Sequence, residues 1–241
     1  MTDVAASAGT PTASSTDTRG APRLFWVGMA VFLIVMVFLG FGSTYGRQLM
    51  LGKEISGAGV VETDWVIHLH AAVFVGCMLF LVVQTTVIGR GRTRSHMTLG
   101  GYGGLFLGVI LVVVGAFITW MQASTAVAKG LVTWAEWPII LLGTMPSWFS
   151  LMGFVVLVGL GLRHRNRPAV HKRYMICGTI LLVVAATSRM NYLLGSWANT
   201  IGIAVMVAPL FAYDLYTERR IRPATLIGTG WIGALLIVEY L

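Results

Sequence analysis

The chain has 241 residues, of which 56% are hydrophobic and only 11% are charged, and its mean hydropathy is +0.80. Soluble domains carry about 25% charged residues, so this composition excludes an ordinary soluble globular protein and predicts an integral membrane protein. The net charge of +8 does not indicate a nucleic-acid-binding protein. The basic residues stand in short clusters between apolar segments, which is typical of cytoplasmic loops.

The first 22 residues are rich in Ser, Thr and Ala and contain few large apolar side chains. This composition predicts a disordered cytoplasmic tail over residues 1–22. It does not resemble a signal peptide, because the apolar segment that follows is too long and no small-residue cleavage site follows it. Residues 23–241 are predicted to form a single transmembrane helical domain.

Seven apolar segments follow the tail, each of about 18–25 residues, the length needed to cross a hydrocarbon core of about 30 Å. They predict an all-α polytopic membrane bundle of about seven transmembrane helices, with a core four-helix unit over about 65–190. The two cysteines are expected to be small buried side chains. The predicted helices cover about 24–41, 65–88, 97–120, 137–162, a fifth that starts near His171 and ends near Arg189, then 195–216 and 223–240, with a polar stretch over 43–64.

The distribution of basic residues predicts the orientation in the membrane. Lys and Arg concentrate before the first helix and in every second loop, whereas the alternate loops are acidic or neutral. The positive-inside rule then places the N-terminus in the cytoplasm and the C-terminus in the periplasm. Tryptophans mark the predicted outer ends, as an aromatic belt would: Trp65, Trp120, Trp134 and Trp137.

A weak internal repeat relates the second and third helices to the fourth and fifth. Each pair surrounds a basic loop, and a histidine starts the second helix of each pair: His96 and His171. Parallel repeats are related by an axis along the membrane normal. Such an axis would place the two histidines at equal depth on opposite sides of the bundle centre, where one haem iron could take both as axial ligands.

Three glycines follow His96 on the same helix face, at four-residue spacing: Gly100, Gly104 and Gly108. Small residues at this spacing either allow close helix contact or leave room for a flat macrocycle. The face of His171 ends at Arg189, five helical turns further on. An arginine there either extends to the outer interface or faces inward as a partner for an anionic group, such as a haem propionate or a quinone oxygen.

The remaining histidines are less informative. His68 and His70 lie near the outer end of the second helix and cannot share one face. His70 is the deeper of the two and is the one we expect to face inward. His164 lies among arginines in a loop, where we expect it to be solvated.

The chain resembles a family of bacterial membrane proteins known only as domain of unknown function 2306. The resemblance covers roughly residues 65–190, although Met97 stands where that family often has a basic residue. It rests on the inward His70, the segment Arg94-Ser-His96-Met-Thr-Leu-Gly100, the segment His171-Lys172-Arg173-Tyr-Met175, and Arg189. The family name implies a bacterial inner membrane but no activity.

A looser resemblance is to the ascorbate-reducible two-haem cytochromes b, in which histidines on alternate helices pair across a bundle. His96 and His171 fit this pattern, although the fourth helix has no histidine. The resulting hypothesis is a b-type haem protein, with possible quinone exchange, in which His96 and His171 are the iron ligands and His70 and Arg189 form an outer layer.

Two alternatives stay open at this stage. The same four residues could line the pathway of a proton-coupled transporter. The chain could also be a non-catalytic accessory subunit of a larger membrane complex, or form a homo-oligomer. The lipid bilayer is the expected partner in every case, and nucleic acid in none.

Overall fold

A computed structural model describes residues 20–51 and 65–240, and within them the side chains other than those of residues 20–22 and 48. This part of the chain is helical and contains no strand. Six of its helices are long and apolar enough to cross a membrane, and a shorter apolar helix, Pro223–Glu239, follows them. The predicted all-α polytopic bundle is confirmed.

Seven helices, here α1 to α7, correspond to the seven predicted segments. Short helical turns, Trp134–Glu136, Asn191–Leu194 and Gly195–Trp197, join α3 to α4 and α5 to α6. The bounds are α1 Gly20–Phe41, α2 Trp65–Gly89, α3 Thr93–Ala128, α4 Trp137–Arg163, α5 Pro168–Thr187, α6 Ala198–Glu218 and α7 Pro223–Glu239.

Several predicted boundaries were wrong. The predicted tail ended at residue 22, but α1 begins at Gly20, and its helical path continues beyond Ser43, the predicted start of a polar stretch, to Met50. Helix α3 is longer than predicted at both ends, α5 ends at Thr187, before Arg189, and α6 begins at Ala198. The extensions of α1 and α3 have one cause, since polar residues at a membrane surface can continue a helix without changing the apolar pattern. Residues 1–19 of the predicted tail and 52–64 of the predicted polar stretch lie outside the described residues.

Helix α5 is the central helix of the bundle. Thirteen of its 20 residues are buried, and it packs along α1, α4, α6 and α7. Close approach to α1 requires Gly40, because a Cβ at that position would lie 2.1 Å from the backbone oxygen of Ala186 on α5.

The hairpin of α2 and α3 closes the bundle on one side. Helix α2 packs on α1, and α3 packs on α2 and α4, but within the described residues neither is among the helices that pack along α5. The five helices α1 to α5 therefore form a ring, in which α2 and α3 face α5 across the middle. The two hairpins of the predicted repeat differ in environment, since α5 is mostly buried and α3 is mostly peripheral.

Candidate functional site

The structure brings His96 and His171 together. Their ring centroids lie 6.3 Å apart and the ring planes are nearly perpendicular, at 80°. His96 lies in the first turn of α3 and His171 in the first turn of α5, so both occupy the side of the bundle that carries the basic loops. Both side chains are half-buried.

His171 is held by a backbone carbonyl. Its Nδ1 donates to the carbonyl oxygen of Gly161 at 2.8 Å. Gly161 lies in the last turn of α4, where carbonyl groups have no partner within the helix. A Cβ on Gly161 would lie 2.9 Å from the Met175 sulfur, so the glycine allows α5 to approach this carbonyl. This hydrogen bond places the proton of His171 on Nδ1 and leaves the lone pair of Nε2 free to bind a metal.

His96 contacts α2 through Gln84. Its Nδ1 lies 3.3 Å from the backbone oxygen of Gln84 and 2.6 Å from the side-chain amide of the same residue. Gln84 is buried, with 6% of its surface exposed. Gln84 was not among the predicted site residues, although a glutamine within an apolar transmembrane segment indicates a functional or structural contact.

The spacing of the two imidazoles suits a shared metal ion. An ion about 2 Å from each of two ring nitrogens, each nitrogen about 1 Å from its ring centre, places the ring centres about 6 Å apart when the nitrogens lie on opposite sides of the ion. Within residues 20–51 and 65–240, no group of three or more His, Cys, Asp or Glu side chains could hold a metal ion. Two imidazoles without a third protein ligand do not suit zinc, which takes three or four protein ligands.

Two of the three glycines after His96 serve helix packing. A Cβ on Gly100 would lie 3.4 Å from the Gln84 side chain, and one on Gly104 would lie 3.3 Å from the Phe80 ring. A Cβ on Gly108 would meet no atom within 4 Å. Close contact between α2 and α3 therefore explains Gly100 and Gly104, and only Gly108 borders open space.

The structure also brings His70 and Arg189 into one cluster at the opposite end of the bundle. The guanidinium carbon of Arg189 lies 4.8 Å from the Phe41 ring centre, and the His70 ring stacks beside Phe74 at 6.2 Å. The Phe41 and Phe74 rings lie 5.9 Å apart, so these two contacts join Arg189 and His70 in one cluster. The Nδ1 of His70 is buried and has no hydrogen-bond partner among the described residues. The 16 positions from His171 to Thr187, the last residue of α5, span about 24 Å, so this outer cluster lies at the other end of α5 from the inner pair, His96 and His171.

The other two histidines have local partners. The Nδ1 of His68 lies 2.6 Å from the Tyr45 hydroxyl, and that of His164 donates to the carbonyl oxygen of Leu160 at 2.8 Å. His164 is half-buried beside Tyr174, so it is less solvated than predicted. Neither histidine belongs to the inner or the outer cluster.

A buried ion-pair network lies near the inner pair and was not predicted. Arg173 on α5 pairs with Asp214 and Glu218 on α6, and Glu218 also pairs with Arg222. The second oxygen of Asp214 accepts from the Arg222 backbone N–H at 3.0 Å and from the Thr225 hydroxyl at 2.6 Å. The sequence placed Arg173 among the basic residues between the fourth and fifth helices and in the segment that carries the family resemblance, and predicted no partner for it. Asp214, a single Asp in an apolar segment, indicated such a partner.

Comparison of the chain with known protein families, with characterised proteins and with solved structures gave no match. The geometry of the inner pair, His96 and His171, and of the outer cluster around His70 and Arg189 is therefore the basis for a function.

Proposed function

We propose that the protein binds b-type haem in the membrane and takes part in transmembrane or quinone-linked electron transfer. The observation that carries the proposal is the pairing of His96 and His171, with ring centroids 6.3 Å apart. Each Nδ1 has a backbone carbonyl within hydrogen-bond distance. A hydrogen bond from Nδ1 to a carbonyl oxygen orients an imidazole so that Nε2 can bind a metal.

In this proposal, His96 and His171 are the axial ligands. Haem iron held by these two residues would supply a one-electron couple, and with both positions taken by histidine it would favour electron transfer over oxygen chemistry. Within the described residues α2 and α3 do not pack along α5, so a planar group held by both histidines would lie between these helices. His70 and Arg189 serve as an outer electrostatic layer for an anionic or carbonyl oxygen.

We also propose a bacterial inner-membrane location with the N-terminus in the cytoplasm and the C-terminus in the periplasm. The basic clusters at Arg90 to Arg94, at Arg163 to Arg167 and at Arg219 to Arg222 lie at loops that alternate along the chain. The tryptophans Trp65, Trp120, Trp134 and Trp137 are all exposed at the opposite ends. Both features agree with the positive-inside rule and an outer aromatic belt.

One observation favours a second candidate, a proton-coupled transporter. The Gln84 side chain can donate to Nδ1 of His96, which places the imidazole proton on Nε2, the atom that a metal would need. Two facing imidazoles in this state could pass a proton between them. A third candidate is an accessory subunit of a larger membrane complex. In its favour, most of the surface of α2, α3 and α4 is not covered by the described part of the chain and could contact a partner.

An absorption spectrum separates these candidates. The protein is purified in detergent from cells supplied with iron and haem precursor, and its spectrum is recorded oxidised and reduced. The proposal predicts a sharp reduced α-band that His96→Ala and His171→Ala each abolish and that the matched control His164→Ala retains. A colourless protein, or a band that survives both substitutions, would refute the proposal.

A further inference from the structure

The amide of Gln84 is fixed by the backbone of α3. One terminal atom of the amide lies 3.2 Å from the carbonyl oxygen of His96, and the other lies 2.9 Å from the backbone nitrogen of Gly100. Hydrogen bonding assigns the amide nitrogen to the first position and the amide oxygen to the second. In the reverse orientation, the amide oxygen would face the carbonyl oxygen of His96 and the amide nitrogen would face the N–H of Gly100, and neither contact is a hydrogen bond. Because amide orientation is assigned from hydrogen bonding, these two backbone groups determine that the amide nitrogen points to the His96 side.

This orientation constrains the imidazole of His96. The same amide nitrogen lies 2.6 Å from Nδ1 of His96 and donates to it, so Nδ1 must be the unprotonated nitrogen of a neutral ring. Donation from Nδ1 to the backbone oxygen of Gln84 at 3.3 Å requires a proton on the same atom. The two hydrogen bonds of Nδ1 therefore exclude each other, and each selects a different tautomer.

We propose that Gln84 is a positioning residue that selects the tautomer of His96, holding the proton on Nε2 when no metal is bound. His171 is in the opposite state, because its Nδ1 donates to the carbonyl of Gly161. The two facing rings then carry complementary tautomers, one with a proton on Nε2 and the other with a free lone pair there.

A consequence follows for ligand binding, and it rests on the proposed haem function. His171 is ready to bind a metal through Nε2, whereas His96 must first move its proton from Nε2 to Nδ1 and give up the amide hydrogen bond of Gln84. The backbone oxygen of Gln84 is already in place to accept that proton. Gln84 thus makes His96 the second and weaker ligand, and one hydrogen bond of this kind changes affinity by up to about tenfold.

The test is a measurement on the haem-free protein. Nitrogen-15 NMR of the five imidazoles in lipid nanodiscs reports which ring nitrogen carries the proton, and the His96→Gln and His171→Gln variants assign the signals. We expect the Nε2–H tautomer for His96 and the Nδ1–H tautomer for His171. In Gln84→Met, which keeps the length of the side chain and removes the amide, we expect His96 to change to Nδ1–H while His171 is unchanged.

Thr85→Val is the matched control, because the Thr85 hydroxyl donates only to carbonyls of its own helix, and it should leave both signals in place. A wild-type His96 with its proton on Nδ1, or a Gln84→Met protein in which Nε2 keeps the proton, overturns the proposal. The wild-type spectrum decides the first point even if the variant does not fold. Haem titration is a separate experiment. Tighter haem binding by Gln84→Met than by the wild type supports the inference that Gln84 makes His96 the weaker ligand. If no variant binds haem, the proposed haem function is refuted, and the tautomer result is unaffected.

Discussion

Arg173 on α5 and Asp214 on α6 form a fully buried ion pair, since both residues have 0% of their surface exposed. The Asp214 carboxylate is fully used by Arg173, the Thr225 hydroxyl and the Arg222 backbone N–H. The pair joins the central helix to α6 and the start of α7. It therefore sets the position of α5, and with it the position of His171 two residues earlier.

Removal of one partner of this pair is expected to destabilise the protein strongly. Arg173→Met leaves the buried Asp214 carboxylate without a counter-ion, and Asp214→Asn leaves the buried Arg173 with only the half-buried Glu218 as its partner. Breaking a buried pair in this way costs about 3–5 kcal/mol. Thermal unfolding in detergent, followed by circular dichroism, measures the effect. Arg222→Gln is the comparison, because its pair with Glu218 is partly exposed and should matter far less. Equal losses for Asp214→Asn and Arg222→Gln would contradict the importance of the buried pair.

The contact between α1 and α5 should depend on the absence of a side chain at Gly40. A Cβ there would lie 2.1 Å from a backbone oxygen that cannot rotate away, so Gly40→Ala must push the two helices apart. We expect a loss at or above the usual overpacking cost of about 1–3 kcal/mol. Gly28→Ala, on the same helix with no atom within 4 Å of its Cβ, should be neutral or slightly stabilising. The unfolding midpoints of the two variants in one detergent give the comparison, and similar midpoints would show that α1 does not pack as described.

The two histidines at the outer end of α2 should respond to the same substitution with opposite signs. His70→Leu removes a buried Nδ1 that has no partner among the described residues, and we expect a gain of about 1 kcal/mol in the ligand-free protein. His68→Leu removes the hydrogen bond to the Tyr45 hydroxyl, and we expect a loss of similar size. Differential scanning fluorimetry on both variants tests this contrast. A loss in His70→Leu would indicate that an unseen group, from the chain or bound to it, already pairs with the imidazole.

The proposed orientation predicts which single cysteines a membrane-impermeant maleimide can reach in intact cells. Leu131→Cys lies in an exposed turn on the proposed periplasmic side and should react. Arg92→Cys lies in an exposed loop on the proposed cytoplasmic side and should react only after permeabilisation. The native Cys177 is buried and Cys77 is half-buried within α2, so the wild-type protein gives the background. The reverse labelling pattern would invert the topology.

The sequence pattern predicted that the seven helices exist more accurately than it predicted the residues at which they begin and end. Apolar segments of the right length determine where the chain must be helical, because an unpaired backbone group in lipid is costly wherever it lies. The same rule does not determine the last turns, where water can satisfy the backbone, and this is why the ends of α3 and the continuation of α1 to Met50 were missed. The four candidate site residues were predicted from their positions on helix faces, and the structure brings them together in two pairs. Gln84 and Asp214 were not predicted as site residues, because each is a single polar residue in an apolar segment.

The sequence by itself determined that the chain is an all-α membrane protein and which faces of α3 and α5 carry histidine, because hydrocarbon length and helical periodicity are properties of each segment alone. Only the tertiary structure decided that these faces meet at 6.3 Å, that α5 is central, and that Gln84 contacts His96. Which helices become neighbours depends on close contacts between residues far apart in the chain, such as Gly40 against Ala186. No local pattern contains that information.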